Sequence, residues 1–236
     1  MILSIQFIRF IAALFIVLMH SILEYENTFR VGDFGVDIFF ILSGFIISYI
    51  TETDRHNFIT KRLIRIVPIY WLFIFIISFF IFMFPELFRT INWDPQHILK
   101  SLFFLPGTEA QGYLPIIKLG WTLNLEMMFY VLFFLSMKFS HKHRELITSS
   151  LIILIILILQ NLKLDGTYAI NFYSSPITIE FIYGMLLAKI WHQHKFEFSL
   201  KACVGLASVC IALLILFNNY INAGEYRFIF YGLPSL

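Results

Sequence analysis

Charge is what this sequence has least of. Only 14% of its 236 residues are Asp, Glu, Lys or Arg, against about 25% in an ordinary soluble domain. Apolar residues make up 59%, 29 of them Phe, and the mean hydropathy is +0.82. A particle of this size lacks the interior to hide so much apolar surface, which excludes a soluble globular protein. Disorder, collagen and coiled coil are excluded with it. The apolar runs are long and continuous, unlike the alternating segments of about ten residues that mark a β-barrel. A net charge of +2 is too small to point to nucleic acid. Cysteine is scarce as well. Cys203 and Cys210 lie seven apart in one apolar run, about 10 Å along a helix axis, too far for a disulfide. What remains is an all-α, multi-pass membrane protein.

A helix needs about 20 mostly apolar residues to cross a bilayer. Such runs occupy Ser4–Leu23, Phe34–Ile50, Val67–Phe84, Trp121–Phe139, Leu146–Leu162, Ile177–Trp191 and Ala202–Ile221. An eighth begins at Phe228 and is cut off at Leu236. The expectation is a transmembrane helical bundle with seven complete spans and the start of an eighth. It forms a single membrane domain over 1–236 that reads as truncated at its C-terminus. Ile98–Leu105 is apolar but short, and Pro106-Gly107 stops it, so it is expected to be interfacial or re-entrant. The first run lacks a basic lead and a small-residue cleavage site and carries Arg9 and His20, so it is expected to stay in the mature protein.

Basic residues predict the orientation. Arg55, Lys61, Arg62 and Arg65 cluster between spans two and three. Lys138, Lys142 and Arg144 flank the loop after span four, and Lys189, Lys195 and Lys201 the loop after span six. All three loops fall on one side if the N-terminus is cytoplasmic.

Ionisable residues inside spans are costly and therefore candidates for function. They are Arg9, His20, Asp37, Glu126 and Glu180, with Arg62 and Arg65 at the cytoplasmic mouth of span three. Arg9 and His20 are eleven residues apart and share one helix face, with about 16 Å between them. Asp37 opens span two on the side where His20 closes span one. It can orient the imidazole for taking a proton from a hydroxyl, or the two can form a structural pair at a helix end. Arg62 and Arg65 are one turn apart and should face the same way. With Arg9 they suit a polyanion, although anchoring to anionic headgroups is the simpler account on spacing alone. Glu126 can position a substrate hydroxyl or pair with an arginine. Glu180, near a span end, reads as structural. His141/His143 and His192/His194 read as solvated loop charge more than as metal ligands, and no metal site is expected. Gly35 and Gly44 allow close approach around span two.

In order, these segments resemble one family. Arg9-x10-His20 is followed by Gly35-Val-Asp-Ile-Phe-Phe-Ile-Leu-Ser-Gly-Phe45, then by Lys61-Arg-Leu-Ile-Arg-Ile-Val-Pro-Ile-Tyr70. Trp121-Thr-Leu-Asn-Leu-Glu-Met-Met-Phe-Tyr130 and Arg227-Phe-Ile-Phe-Tyr-Gly-Leu-Pro234 complete the set. The chain resembles the membrane-bound acyltransferase-3 family over essentially its whole length, and its opening is most similar to the branch that modifies exopolysaccharides. The resemblance implies an acyl-CoA-dependent O-acyltransferase of the bacterial cytoplasmic membrane that acylates a glycan hydroxyl. It makes His20 the catalytic base and gives Arg62 and Arg65, with Arg9 at the same level, the hold on the acyl-CoA donor, acetyl-CoA by family habit. Asp37 and Glu126 fall within family segments and join His20 as catalytic candidates. Family members commonly have about ten spans, more than this sequence holds. The competing expectations are a transporter of lipid-linked sugar, which inverted repeats would favour and none is visible, and an inactive assembly subunit.

Overall fold

The computed structural model describes residues 2–18, 33–53, 57–88, 91–107, 114–161 and 172–193. These form seven α-helices joined by turns and short 3-10 pieces, and no strand occurs among the described residues. The helices are α1 (Ile2–Leu18), α2 (Asp33–Thr53), α3 (Phe58–Met83), α4 (Pro95–Leu102), α5 (Trp121–Phe139), α6 (Arg144–Asn161) and α7 (Ile179–Gln193). The chain divides into two compact units, one built from α1, α2 and α7 and the other from α3 to α6.

Four helices are long and apolar enough to cross a membrane: Phe34–Thr53, Phe58–Met83, Lys118–Phe139 and Arg144–Asn161. They correspond to the second to fifth expected spans. The first and sixth are represented by helices of 17 and 15 residues. The seventh run, Ala202–Ile221, the start of the eighth at Phe228, and both cysteines lie outside the described residues.

In the α1–α2–α7 unit, small residues bring backbones together. A Cβ on Gly35 would sit 2.6 Å from the Ala12 carbonyl oxygen. Gly44 of α2 meets the backbone of Phe181, and Gly184 of α7 meets the backbone of Ile41 and Phe45. Two glycines thus form one crossing, each opposite the other helix's main chain. Close backbone approach through small residues is how helices associate where lipid offers no hydrophobic drive. The Phe40 and Phe181 rings pack beside it at 4.8 Å between centroids, and Tyr49 stacks on His192 at 4.9 Å.

In the other unit, α3 begins nine residues before the expected apolar run, so Lys61, Arg62 and Arg65 stand on the helix itself. An apolar window excludes these residues, yet Lys and Arg are good helix formers. The helix runs through Pro68 without ending, which neighbouring packing tolerates in membrane helices. Its buried stripe is Phe58, Tyr70, Ile74, Ser78 and Ile81, while Leu72, Phe73, Phe75, Phe79 and Phe80 are exposed. An apolar face of that size calls for lipid.

The stripe's second half is covered from 91–107 and 114–117. Asp94 caps α4 by accepting from the Gln96 N–H at 2.9 Å, with Pro95 in the first turn. Trp71 donates its indole N–H to the Leu102 carbonyl at 2.9 Å, and Phe104 stacks on Tyr70 at 4.8 Å. Trp71 lies about 18 Å along the helix axis from the C-terminal end of α3. Of the short apolar stretch Ile98–Leu105, the first five residues fall in α4 and the last three in the turn that ends it. It closes with Leu105 N–H bonded to Lys100 O and Phe104 N–H to Ser101 O, the double bond of a Schellman motif. That motif prefers glycine at its left-handed residue, and here Phe104 occupies it at φ 57°. The return strand is pinned by His97 Nε2, which donates to Leu114 O at 2.7 Å, and by Ser101 Oγ, which accepts from Ile116 N–H at 3.0 Å. Tyr173 donates to Phe104 O at 3.3 Å. Burial pushes the Tyr173 phenol up, keeping it a donor.

Candidate functional site

In the first unit, α1 carries Arg9 and α2 carries Asp37. The Arg9 guanidinium lies 5.8 Å from the centre of the Phe39 ring, at the limit of a cation–π contact. Asp37 is fully buried, two residues from Phe39 and two from Gly35, which touches Ala12 and Ile16. Glu180, in the first turn of α7, is fully buried too. Two carboxylates thus lie in the interior of one unit, and the sequence reading had treated Glu180 as structural. His20 lies outside the described residues, and with it the His20–Asp37 pair.

In the second unit, the structure brings Arg62 and Glu126 together through a residue that the sequence reading passed over. Tyr130 donates its hydroxyl to the Glu126 carboxylate, one turn back on α5. Its ring receives the Arg62 guanidinium at 6.0 Å from the centroid. Phe58 packs edge-on to the same ring at 6.2 Å and against Phe133 at 5.7 Å. The Lys61–Tyr70 and Trp121–Tyr130 segments are therefore two halves of one contact. The i,i+4 spacing of Glu126 and Tyr130 is legible in the sequence. The Arg62 contact, across 68 positions, is not.

Arg62 and Arg65 diverge. Three residues turn a helix through 300°, which leaves the two about 60° apart. Arg62 is half-buried against Tyr130, and Arg65 is exposed. A cavity of about 470 Å³ opens beside the first turn of α3. Asn57, Phe58, Ile59 and Thr60 line one side, and Phe134, Met137, Lys138 and His141 the other. Asn57 gives that turn no side-chain cap, so its N–H groups add partial positive charge to that of Lys138. The local field suits an anion.

His141 Nε2 sits 3.1 Å from Arg144, which also donates to the His141 carbonyl at 2.8 Å and pairs with Glu145 at 2.8 Å. Among the described residues no group of three His, Cys, Asp or Glu could hold a metal ion.

The family model for this acyltransferase domain matches residues 2–236. The chain belongs to the acyltransferase-3 family. It is 33% identical over 183 residues to the exopolysaccharide production protein ExoZ of Rhizobium meliloti (strain 1021), covering 74% of this chain and 56% of that protein. It is 24% identical over 256 residues to the putative peptidoglycan O-acetyltransferase YrhL of Bacillus subtilis (strain 168), covering 93% of this chain and 39% of that one. The chain thus spans roughly half, or less, of the curated relatives it matches. No solved structure matches it.

The Glu126–Tyr130 bond has a measurable consequence for a chain of this family. Glu126→Leu removes the acceptor that fixes Tyr130, and with it the ring under Arg62. A hydrogen bond to a charged group contributes about 1.5–3 kcal/mol, so acyl transfer should fall roughly tenfold to a hundredfold. Glu126→Gln, which keeps an acceptor oxygen, should fall less. Steady-state transfer by the two variants checks the order, and equal rates in wild type and Glu126→Leu would remove Glu126 from the machinery.

Proposed function

We propose that this protein is an integral-membrane O-acyltransferase that moves an acyl group, acetyl in the simplest case, from cytoplasmic acyl-CoA to a glycan hydroxyl. The observation that carries the reading is the Arg62–Tyr130–Glu126 contact, which joins two family segments in the unit that also holds the cavity lined by Phe58 and Lys138. The relatives' names, exopolysaccharide production and peptidoglycan O-acetylation, supply the glycan.

In this reading Arg62 and Arg65 hold the phosphates of coenzyme A, because a guanidinium fork matches phosphate oxygens in geometry and charge. His20 takes the proton from the acceptor hydroxyl, and Asp37 orients the imidazole and stabilises its protonated form. The hydroxyl oxygen forms a bond to the thioester carbonyl carbon, the carbon–sulfur bond breaks, and the thiolate leaves with the proton. The N-terminus is cytoplasmic and the membrane is the bacterial cytoplasmic one. No permanently bound cofactor is required.

Membrane vesicles holding the full-length protein, given labelled acetyl-CoA and the host's own glycans, test this directly. Alkali-labile label on polysaccharide is the expected result, and none from the wild type would overturn the reading. Arg62→Ala with Arg65→Ala should weaken acetyl-CoA binding at least tenfold, the loss of one charge-assisted bond or more. A direct titration of purified protein checks it. Equal affinities would take the donor away from these arginines.

A further inference from the structure

Among the described residues, four polar side chains of α3, α4 and α5 are buried with atoms that find no hydrogen-bond partner: the Tyr70 hydroxyl, the Ser78 hydroxyl, His97 Nδ1 and both ends of the Asn124 amide. Their exposures are 5%, 7%, 1% and 1%. Buried polar groups are nearly always satisfied, and each exception asks for a cause. The four stand on α3, α4 and α5, the helices whose apolar residues meet in one cluster around Tyr70 and Ile74. Tyr70 and Ser78 share the buried stripe of α3 with Ile74 and Ile81. The covering segment lays Phe104 and Ile116 on that stripe and buries His97 behind them. The Tyr70 ring and hydroxyl lie against Gly120, where a Cβ would come within 2.9 Å of both. Asn124 follows Gly120 by one turn on the same face of α5.

The chemistry of the set is specific. His97 Nε2 faces a carbonyl, which can only accept, so Nε2 carries the proton and Nδ1 is a lone-pair acceptor. A hydroxyl or a carboxamide both donates and accepts. No carboxylate or cation is among the four, so neither a metal ion nor a phosphate is their match. A ligand whose every polar group also donates and accepts is. Backbone strain points to the same place, since Phe104 takes a left-handed conformation unfavourable for a bulky side chain in order to stack on Tyr70.

We propose that the face between α3, residues 91–107 and 114–117, and the first turns of α5 binds sugar hydroxyls of the acceptor glycan, with Tyr70, Ser78, His97 Nδ1 and Asn124 as its hydrogen-bonding groups. The assignment of the acceptor rests on the acyltransferase reading, whereas binding does not depend on turnover. An oligosaccharide hydrogen-bonded to these groups supplies their partners and offsets their desolvation cost.

The test uses full-length protein in nanodiscs and a fluorescent oligosaccharide cut from the host's polysaccharide after alkaline removal of its esters. Tyr70→Phe and Asn124→Leu should bind the probe at least tenfold more weakly than wild type while their thermal midpoints stay level or rise, because each deletes an unpartnered buried group. His97→Gln, whose amide nitrogen can keep the Leu114 bond, should weaken binding without unfolding the segment. Acetyl-CoA affinity should not change in any of them. Probe binding equal to wild type, or none by wild type, overturns the proposal. So does a lowered midpoint in Tyr70→Phe, which would mean that the hydroxyl serves the fold through a bound water. A loss confined to acetyl-CoA binding gives the face to the donor and overturns it too. Transfer of labelled acetyl, measured beside binding, separates failure of this site from failure of the enzyme assignment.

Discussion

Gly184→Leu should leave no folded protein to purify. A Cβ at this position lands on the Ile41 carbonyl and 2.7 Å from the Phe45 nitrogen, both of them backbone atoms that cannot swing aside. Even Gly184→Ala forces α2 and α7 apart, and overpacking of this kind costs about 1–3 kcal/mol. Leucine adds three carbons to a crossing already at backbone contact, which moves the effect beyond about 4 kcal/mol, a large part of a domain's whole stability. Size-exclusion profiles and thermal unfolding of the detergent-solubilised protein read the series, and a wild-type midpoint for the leucine variant would show that the helices are not in contact there. Gly44→Ala makes the reciprocal clash with Phe181. The separation that admits one methyl group also relieves the other. The double alanine variant should therefore cost less than the sum of the single ones.

How much of this was legible depends on which physical signal each feature leaves in a linear sequence. The runs Phe34–Ile50, Trp121–Phe139 and Leu146–Leu162 became α2, α5 and α6 with ends shifted by three residues or fewer, because hydrocarbon thickness dictates length and composition together. The start of α3 was misplaced because hydropathy sees Lys61, Arg62 and Arg65 as the end of a span, although the helix carries them through. The shortness of Ile98–Leu105 and the following Pro106-Gly107 set it apart from the spans, and its helix, α4, is only eight residues long. Its seating on Tyr70 and Trp71 was not legible, since that depends on which face of α3 is buried.

For the site, charge was the guide, and it is only half of the relevant chemistry. An ionisable group in an apolar run stands out, so Arg9, Asp37, Glu126 and Arg62 were singled out from the residues alone, and Asp37 is fully buried. Neutral hydrogen-bonding groups give no such alarm. Asn124 sits two residues before Glu126 in the same span and is more deeply buried, yet a search for charges passes over it. Tyr70 and Tyr130 look like two more aromatics in a chain with 11 tyrosines and 29 phenylalanines. For Tyr130 the carboxylate one turn back on its own helix was legible and the Arg62 contact was not, and for Tyr70 it is tertiary burial that leaves the hydroxyl without a partner among the described residues.

His20→Ala should reduce acyl transfer by about 10²–10⁴-fold, the usual contribution of a positioned general base, while acetyl-CoA binds as before. The split follows from the division of labour. A base that removes the acceptor's proton acts on the transition state alone, so its loss appears in kcat. The arginines act on the bound donor, and their loss appears in affinity. Asp37→Asn provides the intermediate case: it keeps the base and weakens its orientation, so its rate should lie between those of wild type and His20→Ala. Single-turnover transfer with labelled acetyl-CoA, set beside equilibrium donor binding, measures both halves. A His20→Ala protein that transfers at the wild-type rate would move the base elsewhere in the chain, and one that no longer binds acetyl-CoA would make His20 part of the donor site.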